Sequence, residues 1–189
     1  MDGIAQQPPS RLWQAFKQGD KAAFEELFNA HFNELYYYSY KLCGNEDLSK
    51  DCIQELFLEL WDKKAKLGDV VSIKHYLIKS IRRKVIRSQV QYERKLLRIQ
   101  RATDKDALFQ LSAEELLIYG QAESRQRQRL LAAVNDLTTK QREIIYLKYN
   151  VGLDYKDIAE TLGIKYQSVR NHMHKAITKL REVLSDFYD

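Results

Sequence analysis

The clearest chemical signal in the sequence is a helix-turn-helix pattern in its last fifty residues. Ala159 is small enough for two helices to approach closely, Gly163 suits the positive φ of the turn, and Val169 places a branched apolar side chain between the helices. The outer face of the predicted second helix has side chains of the types that bind base edges and phosphates in a major groove. They are Lys165, Tyr166, Gln167, Ser168, Arg170, Asn171, His174 and Lys175. The spacing of Ala159, Gly163 and Val169, together with this outer face, favours duplex DNA binding over an ordinary helical hairpin with a polar outer face.

A second signal is a strip of positive charge from Lys74 to Arg101. The strip contains ten Lys or Arg residues and one acid, Glu93, although the formal charge of the whole chain is only +5. Positive charge concentrated in this way favours contact with a polyanion. The alternative is a basic face that is merely solvated.

The composition predicts that helices position both features. The chain of 189 residues contains 7 Gly and 2 Pro, and both prolines lie in the first ten residues. Sheets and their turns usually need more of both residue types. Hydrophobic residues make up 44% of the chain, which is enough for a buried core. We therefore predict an all-α protein.

Apolar residues at spacings of three and four define the predicted helices. One helix begins after Asp20, its predicted N-cap, and ends at Gly44, and the next ends at Gly68. Ser72 is the predicted cap of a basic helix at 73–90. Together these helices predict one compact bundle.

The helices are predicted to form two small domains. Residues 10–98 are the helical bundle, and residues 123–189 are the helix-turn-helix domain. In the second domain Thr138 and Gln141 have the spacing of a capping box, and Asp154 is the predicted N-cap of the next helix.

Residues 99–122 are predicted to be a linker between the two domains. Acids outnumber bases in this segment, and a short helix is expected around Leu108–Leu117. A solvated connector is favoured over two alternatives, a segment that folds back on the basic strip and a mimic of nucleic acid.

Several function classes are excluded. The sequence has no apolar run of the ~18 residues that span a membrane, and its start resembles no signal peptide, so we expect a cytoplasmic protein. Cys43 and Cys52 are interpreted as two buried thiols. His172 and His174 are two residues apart and do not share a helix face, which argues against a metal site. No catalytic motif is found, so we expect no enzymatic activity and no cofactor.

Two stretches carry a family resemblance. The sequence DCIQELFLELW at residues 51–61 resembles the D-x-V-Q-E-x-F-x-x-x-W stretch of bacterial extracytoplasmic-function (ECF) sigma factors. Residues 137–181, which include the helix-turn-helix pattern, are similar to the C-terminal domain of the same class. The resemblance extends over residues 10–98 and 124–186, in the order that the family has. It implies a promoter-specific factor for RNA polymerase.

The resemblance implies a polymerase-docking surface on the helix around residues 51–61. In the family this helix binds the coiled-coil clamp of the β′ subunit, and here the matching residues are Asp51, Gln54, Glu55 and Trp61. Two alternatives stay open, because the polar residues can form a solvated face and Trp61 can simply complete the core.

The resemblance also implies that the basic helix binds and melts the minus-ten promoter element. This task needs cations along a single strand and aromatic rings for unstacked bases. The candidates are Tyr76, Lys79, Arg82, Arg83, Lys84 and Arg87, with Tyr92 as a second stacking ring. The family usually has Trp, Asn and Asp where this chain has Tyr76, Arg83 and Arg87. These departures strengthen the positive charge and leave the specific base contacts undefined.

The remaining partners also follow from the resemblance. It implies minus-thirty-five recognition by the helix from Lys165, contact with the polymerase β flap, and control by an anti-sigma factor that in the family is often bound to the membrane. Two rival functions remain. A stand-alone helix-turn-helix regulator leaves residues 51–61 unexplained, and a degenerate sigma paralogue that cannot open DNA is supported only by Arg83 and Arg87.

Overall fold

The computed structural model describes residues 11–97, 109 and 132–185, with side chains described up to 91 in the first stretch and up to 182 in the last. The regular elements in these ranges are helices, and they contain no β-strand. The chain divides into two compact units, Met1–Arg101 and Ala102–Asp189. The all-α prediction is thereby confirmed.

The N-terminal unit is a bundle in which three long helices pack against one another. Its elements are α1 (Arg11–Lys17), α2 (Lys21–Cys43), α3 (Glu46–Lys63), a 3-10 turn (Lys64–Lys66) and α4 (Ile73–Leu97). The third predicted helix therefore ends earlier than Gly68, and the basic helix extends beyond residue 90.

Side-chain and glycine caps set the helix boundaries of this unit. The Asp20 side chain accepts hydrogen bonds from the backbone N–H groups of Ala22 and Ala23, and Gly44 ends α2 with φ of 62°. The hydroxyl of Ser72 accepts a hydrogen bond from the His75 N–H at 3.2 Å. Asp20, Gly44 and Ser72 are therefore confirmed as boundary residues, whereas Gly68 is not.

The core of the bundle consists of apolar side chains from the facing sides of α2, α3 and α4. Those that are at most 5% exposed include Leu27, Leu35, Tyr38, Ile53, Leu56, Phe57, Leu60, Leu77, Ile78, Ile81 and Val85. The thiols of Cys43 and Cys52 are free and buried, as predicted. Burial raises the pKa of the Cys52 thiol, so this group stays protonated at neutral pH.

Helix α1 holds the loop that leads into α4. The Trp13 indole N–H donates to the carbonyl of Gly68 at 3.0 Å, and the ammonium of Lys17 lies 2.7 Å from the Asp69 carboxylate. Hydrogen bonds from Lys17 and Gln14 lower the pKa of Asp69. The start of the basic helix is therefore fixed by contacts from the first helix.

The C-terminal unit contains α5 (Thr139–Tyr149), α6 (Tyr155–Leu162) and α7 (Tyr166–Ser185), preceded by a helical segment at residues 132–135. Thr138 and Gln141 form the predicted capping box, and the Asp154 side chain caps α6 by accepting from the Asp157 N–H. The core includes Ile144, Leu147, Ile158, Leu162, Val169, Met173 and Ala176.

Phe109 belongs to the core of the C-terminal unit, although it lies inside the predicted linker. Its side chain is 2% exposed, its ring lies 5.5 Å from that of Tyr146, and its carbonyl accepts a hydrogen bond from the Arg142 Nε at 2.6 Å. The prediction of a solvated connector is therefore wrong at this residue, because a large aromatic ring gains more from burial than from solvation. The predicted helix at 108–117 otherwise lies outside the described residues.

Candidate nucleic-acid interface

The turn of the helix-turn-helix has the geometry that its sequence predicts. Gly163 has φ of 65°, a left-handed conformation that favours glycine, and its N–H bonds to the carbonyl of Ala159. The N–H of Ile164 donates to the same carbonyl at 3.0 Å. Ala159 is 8% exposed and Val169 is fully buried between α6 and α7.

The first three turns of α7 present a polar face to solvent. Seven of the eight predicted DNA-contact residues are exposed: Lys165, Tyr166, Gln167, Arg170, Asn171, His174 and Lys175. Ser168 is half-buried, and so is His172. Since His174 is exposed and His172 is not, the two imidazoles lie on different sides of the helix.

Three contacts organise this face. The side-chain amide of Gln167 donates through Nε2 to the Asn171 Oδ1 at 3.1 Å. The ring of Tyr166 packs edge-on against Tyr155 at the start of α6, with centroids 6.4 Å apart, and the ammonium of Lys148 lies 5.4 Å from the Tyr155 ring. The start of α7 is therefore an aromatic and cationic edge, and Lys148 and Tyr155 were not predicted to belong to it.

Helix α3 presents its own exposed face. Asp51, Gln54 and Glu55 are exposed on this face, as the family resemblance requires of docking residues. Leu58 lies one turn after Gln54 and is 63% exposed. Sequence reasoning did not single out Leu58, because the family stretch specifies no residue type at this position. The available signal was its spacing, since residues 51, 54, 55 and 58 share one side of a helix.

Trp61 packs inside the aromatic cluster of the N-terminal unit. Its ring lies 5.1 Å from Phe24 and 6.4 Å from Phe16, and the Lys64 ammonium lies 4.1 Å from its centroid. The side chain is half-buried. This placement supports the alternative that Trp61 completes the core, and it leaves only part of the ring for a partner protein.

The predicted minus-ten residues lie at different depths on α4. Arg83 and Arg87 are exposed, whereas Tyr76, Lys79, Arg82 and Lys84 are half-buried. The Tyr76 ring packs edge-on against Trp13 at 5.5 Å. Part of the positive strip is neutralised within the unit, since the Lys74 ammonium lies 2.8 Å from the Glu34 carboxylate.

Lys84 is held by two carboxylates of α3. Its ammonium lies 2.6 Å from Glu59 and 3.1 Å from Glu55, and its side chain is only 14% exposed. The hydrogen bond from Lys84 lowers the pKa of Glu59. Burial lowers the pKa of Lys84, but the hydrogen bonds to Glu59 and Glu55 outweigh it and leave that pKa raised. A residue predicted to bind DNA is thus bonded to one predicted to bind polymerase.

A groove of about 440 Å³ runs between α3 and α4. Its lining combines cations with an aromatic ring, apolar side chains and one carboxylate, Glu59, which is paired with Lys84. The other lining residues include Lys63, Leu67, Tyr76, Arg83 and Arg87. Such a lining suits an unstacked base together with its phosphate. Tyr76, Arg83 and Arg87, the three departures from the family pattern on this helix, all line this groove.

The comparisons with known proteins match both units. The family model described as Sigma-70 region 2 matches residues 27–95, and the model described as Sigma-70, region 4 matches residues 127–180. The ECF RNA polymerase sigma factor SigE of Mycolicibacterium smegmatis is 27% identical over 88% of this chain. The chain belongs to the ECF sigma factors. Proteins of this family are non-enzymatic transcription initiation factors.

The relatives differ in length from this ECF sigma factor. The chain spans 65% of the length of SigE. It spans 97% of the SigK sigma factor of Mycobacterium ulcerans, which is 22% identical over 94% of this chain. Two solved structures share the fold: CnrH in complex with the cytosolic domain of CnrY, and RpoE in complex with the anti-sigma factor NepR from Bartonella quintana. Both have a TM-score of 0.58, and the match covers 96% of each of those chains. CnrH is 19% identical over 93% of this chain, and RpoE is 21% identical over 86% of it.

Proposed function

We propose that this ECF sigma factor binds core RNA polymerase and directs promoter-specific transcription initiation. The observation that supports this function best is the pairing of two surfaces in one chain. One unit has an exposed recognition face on α7, and the other has the exposed Asp51, Gln54 and Glu55 face on α3 beside a cationic groove. A stand-alone helix-turn-helix regulator needs only the first of these surfaces.

The surface of this chain that binds core polymerase is the exposed face of α3. Its partner is the clamp of the β′ subunit. Asp51, Gln54 and Glu55 supply polar contacts, and Leu58 supplies the apolar centre that protein interfaces usually have. Trp61 acts mainly by holding α3 on α1 and α2. The C-terminal unit adds a second contact, with the β flap.

The minus-ten element binds along α4 and in the groove between α3 and α4. Arg83 and Arg87 supply exposed charge for the strand backbone, and Tyr76 supplies a ring for an unstacked base. Lys79 and Arg82 supply further positive charge on α4, outside the lining of the groove. Lys84 contributes through its ion pairs with α3 more than through direct contact with DNA.

The minus-thirty-five element binds the exposed face of α7. The residues that contact it are Lys165, Tyr166, Gln167, Ser168, Arg170, Asn171, His174 and Lys175, with base edges contacted from the major groove. Residues 10–98 form the domain for polymerase and minus-ten contacts, and residues 123–189 form the domain for the minus-thirty-five element. Residues 99–122 are the linker, in which Phe109 packs into the core of the second unit.

The proposal includes a cellular location and a regulator. Among the described helices, none is both long and apolar enough to cross a membrane. We place the protein in the cytoplasm, where promoters and core polymerase are found. An anti-sigma factor is proposed as its regulator, because the fold is shared with two proteins solved together with CnrY and NepR.

Run-off transcription with core polymerase tests the proposed function. The full-length chain is mixed with core enzyme and templates that carry the promoter regions of its own operon. We expect a stable complex and a transcript of defined length that requires the chain. Failure to bind core polymerase would overturn the sigma function in favour of a stand-alone regulator. Binding without an open complex, measured by permanganate reactivity of unpaired thymines, would instead identify a degenerate paralogue.

A further inference from the structure

The hydrogen bond between Gln167 and Asn171 orients an amide on the recognition face. The two residues are one helical turn apart, both side chains are exposed, and the Gln167 Nε2 donates to the Asn171 Oδ1 at 3.1 Å. With the amide reversed, an N–H of Asn171 would face an N–H of Gln167. The bond therefore fixes the orientation of the Asn171 amide relative to that of Gln167, and with Gln167 as the donor the Asn171 Oδ1 faces Gln167.

The oriented amide keeps one free donor and one free acceptor on adjacent atoms. A carboxamide oxygen has two lone pairs, and its NH₂ group has two N–H donors. Gln167 occupies one lone pair of the Asn171 Oδ1. The second lone pair and the N–H groups of Nδ2 remain available to a ligand.

This pattern matches adenine among the four bases. In the major groove adenine presents the N7 acceptor beside the N6 donor, whereas guanine presents two acceptors, and cytosine and thymine each present a single polar group. The exposed cations Arg170 and Lys175 on the same helix suit guanine and phosphate instead. Asn and Gln amides both fit adenine. On this face Gln167 commits one N–H to Asn171, so Asn171 is the amide assigned to the base.

We infer that Asn171 recognises one adenine of the minus-thirty-five element, and that Gln167 is a positioning residue which orients its amide. Asn171 Nδ2 donates to N7 of the base, and Asn171 Oδ1 accepts from N6. The inference rests on the proposed function, because it requires α7 to lie in the major groove of a promoter.

Selection from a randomised minus-thirty-five element tests the inference with the full-length chain bound to core polymerase. We expect wild type to enrich an A·T pair at one position next to Asn171. Asn171→Ala should lose this preference by roughly 5- to 150-fold at that position only, which is the discrimination of one bidentate base contact. Thr178→Ala is the matched control, because it removes another exposed polar side chain from α7.

The role of Gln167 is tested by comparing a variant that removes its N–H donor to Asn171 with a variant that supplies another N–H donor at the same position. Gln167→Ala should weaken the preference for adenine, whereas Gln167→Lys, which can still donate to Asn171 Oδ1, should retain it. The readout is the ratio between bases at one position, so a general gain of affinity from the added charge does not affect it. Equal loss of preference in both variants would overturn the positioning role.

Base analogues test the atoms involved. With 7-deazaadenine at the selected position, wild type should lose affinity, whereas Asn171→Ala should bind the modified and natural promoters equally. A selected element without adenine next to Asn171, or one unchanged by Asn171→Ala, would overturn the inference while the proposed function stands. No enrichment of any minus-thirty-five sequence would overturn both.

Discussion

The ammonium of Lys84 on α4 lies 2.6 Å from the carboxylate of Glu59 on α3, and the same ammonium bonds to Glu55. This pair joins the helix proposed to bind minus-ten DNA to the helix proposed to bind polymerase. Because the Lys84 side chain is 14% exposed, the carboxylates have taken the place of solvent around its charge. The consequence is that the six residues predicted for minus-ten binding are not equivalent.

The first prediction concerns DNA binding. Arg83→Ala and Arg87→Ala should each weaken binding of a minus-ten single strand by the holoenzyme and reduce its salt dependence, since both side chains are exposed. Lys84→Ala should change the salt dependence less, because its charge is already paired. Fluorescence anisotropy against salt concentration measures the three slopes. An effect of Lys84→Ala as large as that of Arg87→Ala would contradict this division.

The second prediction concerns stability against pH. The pKa of Glu59 is lowered by Lys84, so its contribution to the free energy of unfolding is present above its ordinary value of 4.5 and is lost as the pH falls through the lowered value. Because Glu59 is 55% exposed, solvent screening keeps that contribution below about 1 kcal/mol. Urea unfolding of wild type and Lys84→Met should therefore differ at pH 7 and converge as the pH falls below 4.5. Arg83→Met, at an exposed cation of the same helix, is the matched control, and a difference that persists at low pH would point to packing instead.

The Lys84 pair also shows where prediction from sequence ends. The helix caps and the Ala159, Gly163 and Val169 pattern depend on residues close together in the chain, so spacing was enough to predict them. The partners of Lys84 are 25 and 29 residues away, on another helix. Their pairing depends on the rotation of α3 against α4, which no local pattern encodes. The same reason applies to Trp61, whose ring packs on α1 and α2.

The third prediction concerns polymerase docking. The double variant Asp51→Arg/Gln54→Ala should weaken holoenzyme assembly while the fold is retained, because both side chains are exposed. Leu58→Ala should weaken assembly as well, since 63% of this apolar side chain is available to a partner. Glu25→Arg on the exposed surface of α2 is the control for a charge change. Co-purification with core polymerase measures assembly, and circular dichroism verifies the fold; undiminished assembly of the double variant would refute the docking surface.

The fourth prediction concerns Phe109. Replacing this ring with alanine should destabilise the C-terminal unit by about 3 kcal/mol, in the range found for buried Phe→Ala changes. Hydrogen exchange of the full-length chain separates the two units: amides of α5–α7 should exchange faster, and those of α2–α4 should not change. Tyr166→Ala removes a ring that is 50% exposed and should have a much smaller effect. Unaltered exchange in α5–α7 would mean that Phe109 does not stabilise this core.

The fifth prediction compares two glycines that both have open space where a Cβ would lie. Gly163 has φ of +65°, whereas Gly68 has no positive φ, and no heavy atom lies within 4 Å of a Cβ built at either residue. Gly163→Ala should therefore cost about 1–2 kcal/mol through backbone strain alone, while Gly68→Ala should be neutral or slightly stabilising. Hydrogen exchange in the unit that contains each residue measures both effects. Neither alanine side chain would contact a neighbour. A large loss of stability in Gly68→Ala would therefore show that its loop needs freedom to move. An unchanged stability in Gly163→Ala would mean that the turn can change its conformation without cost.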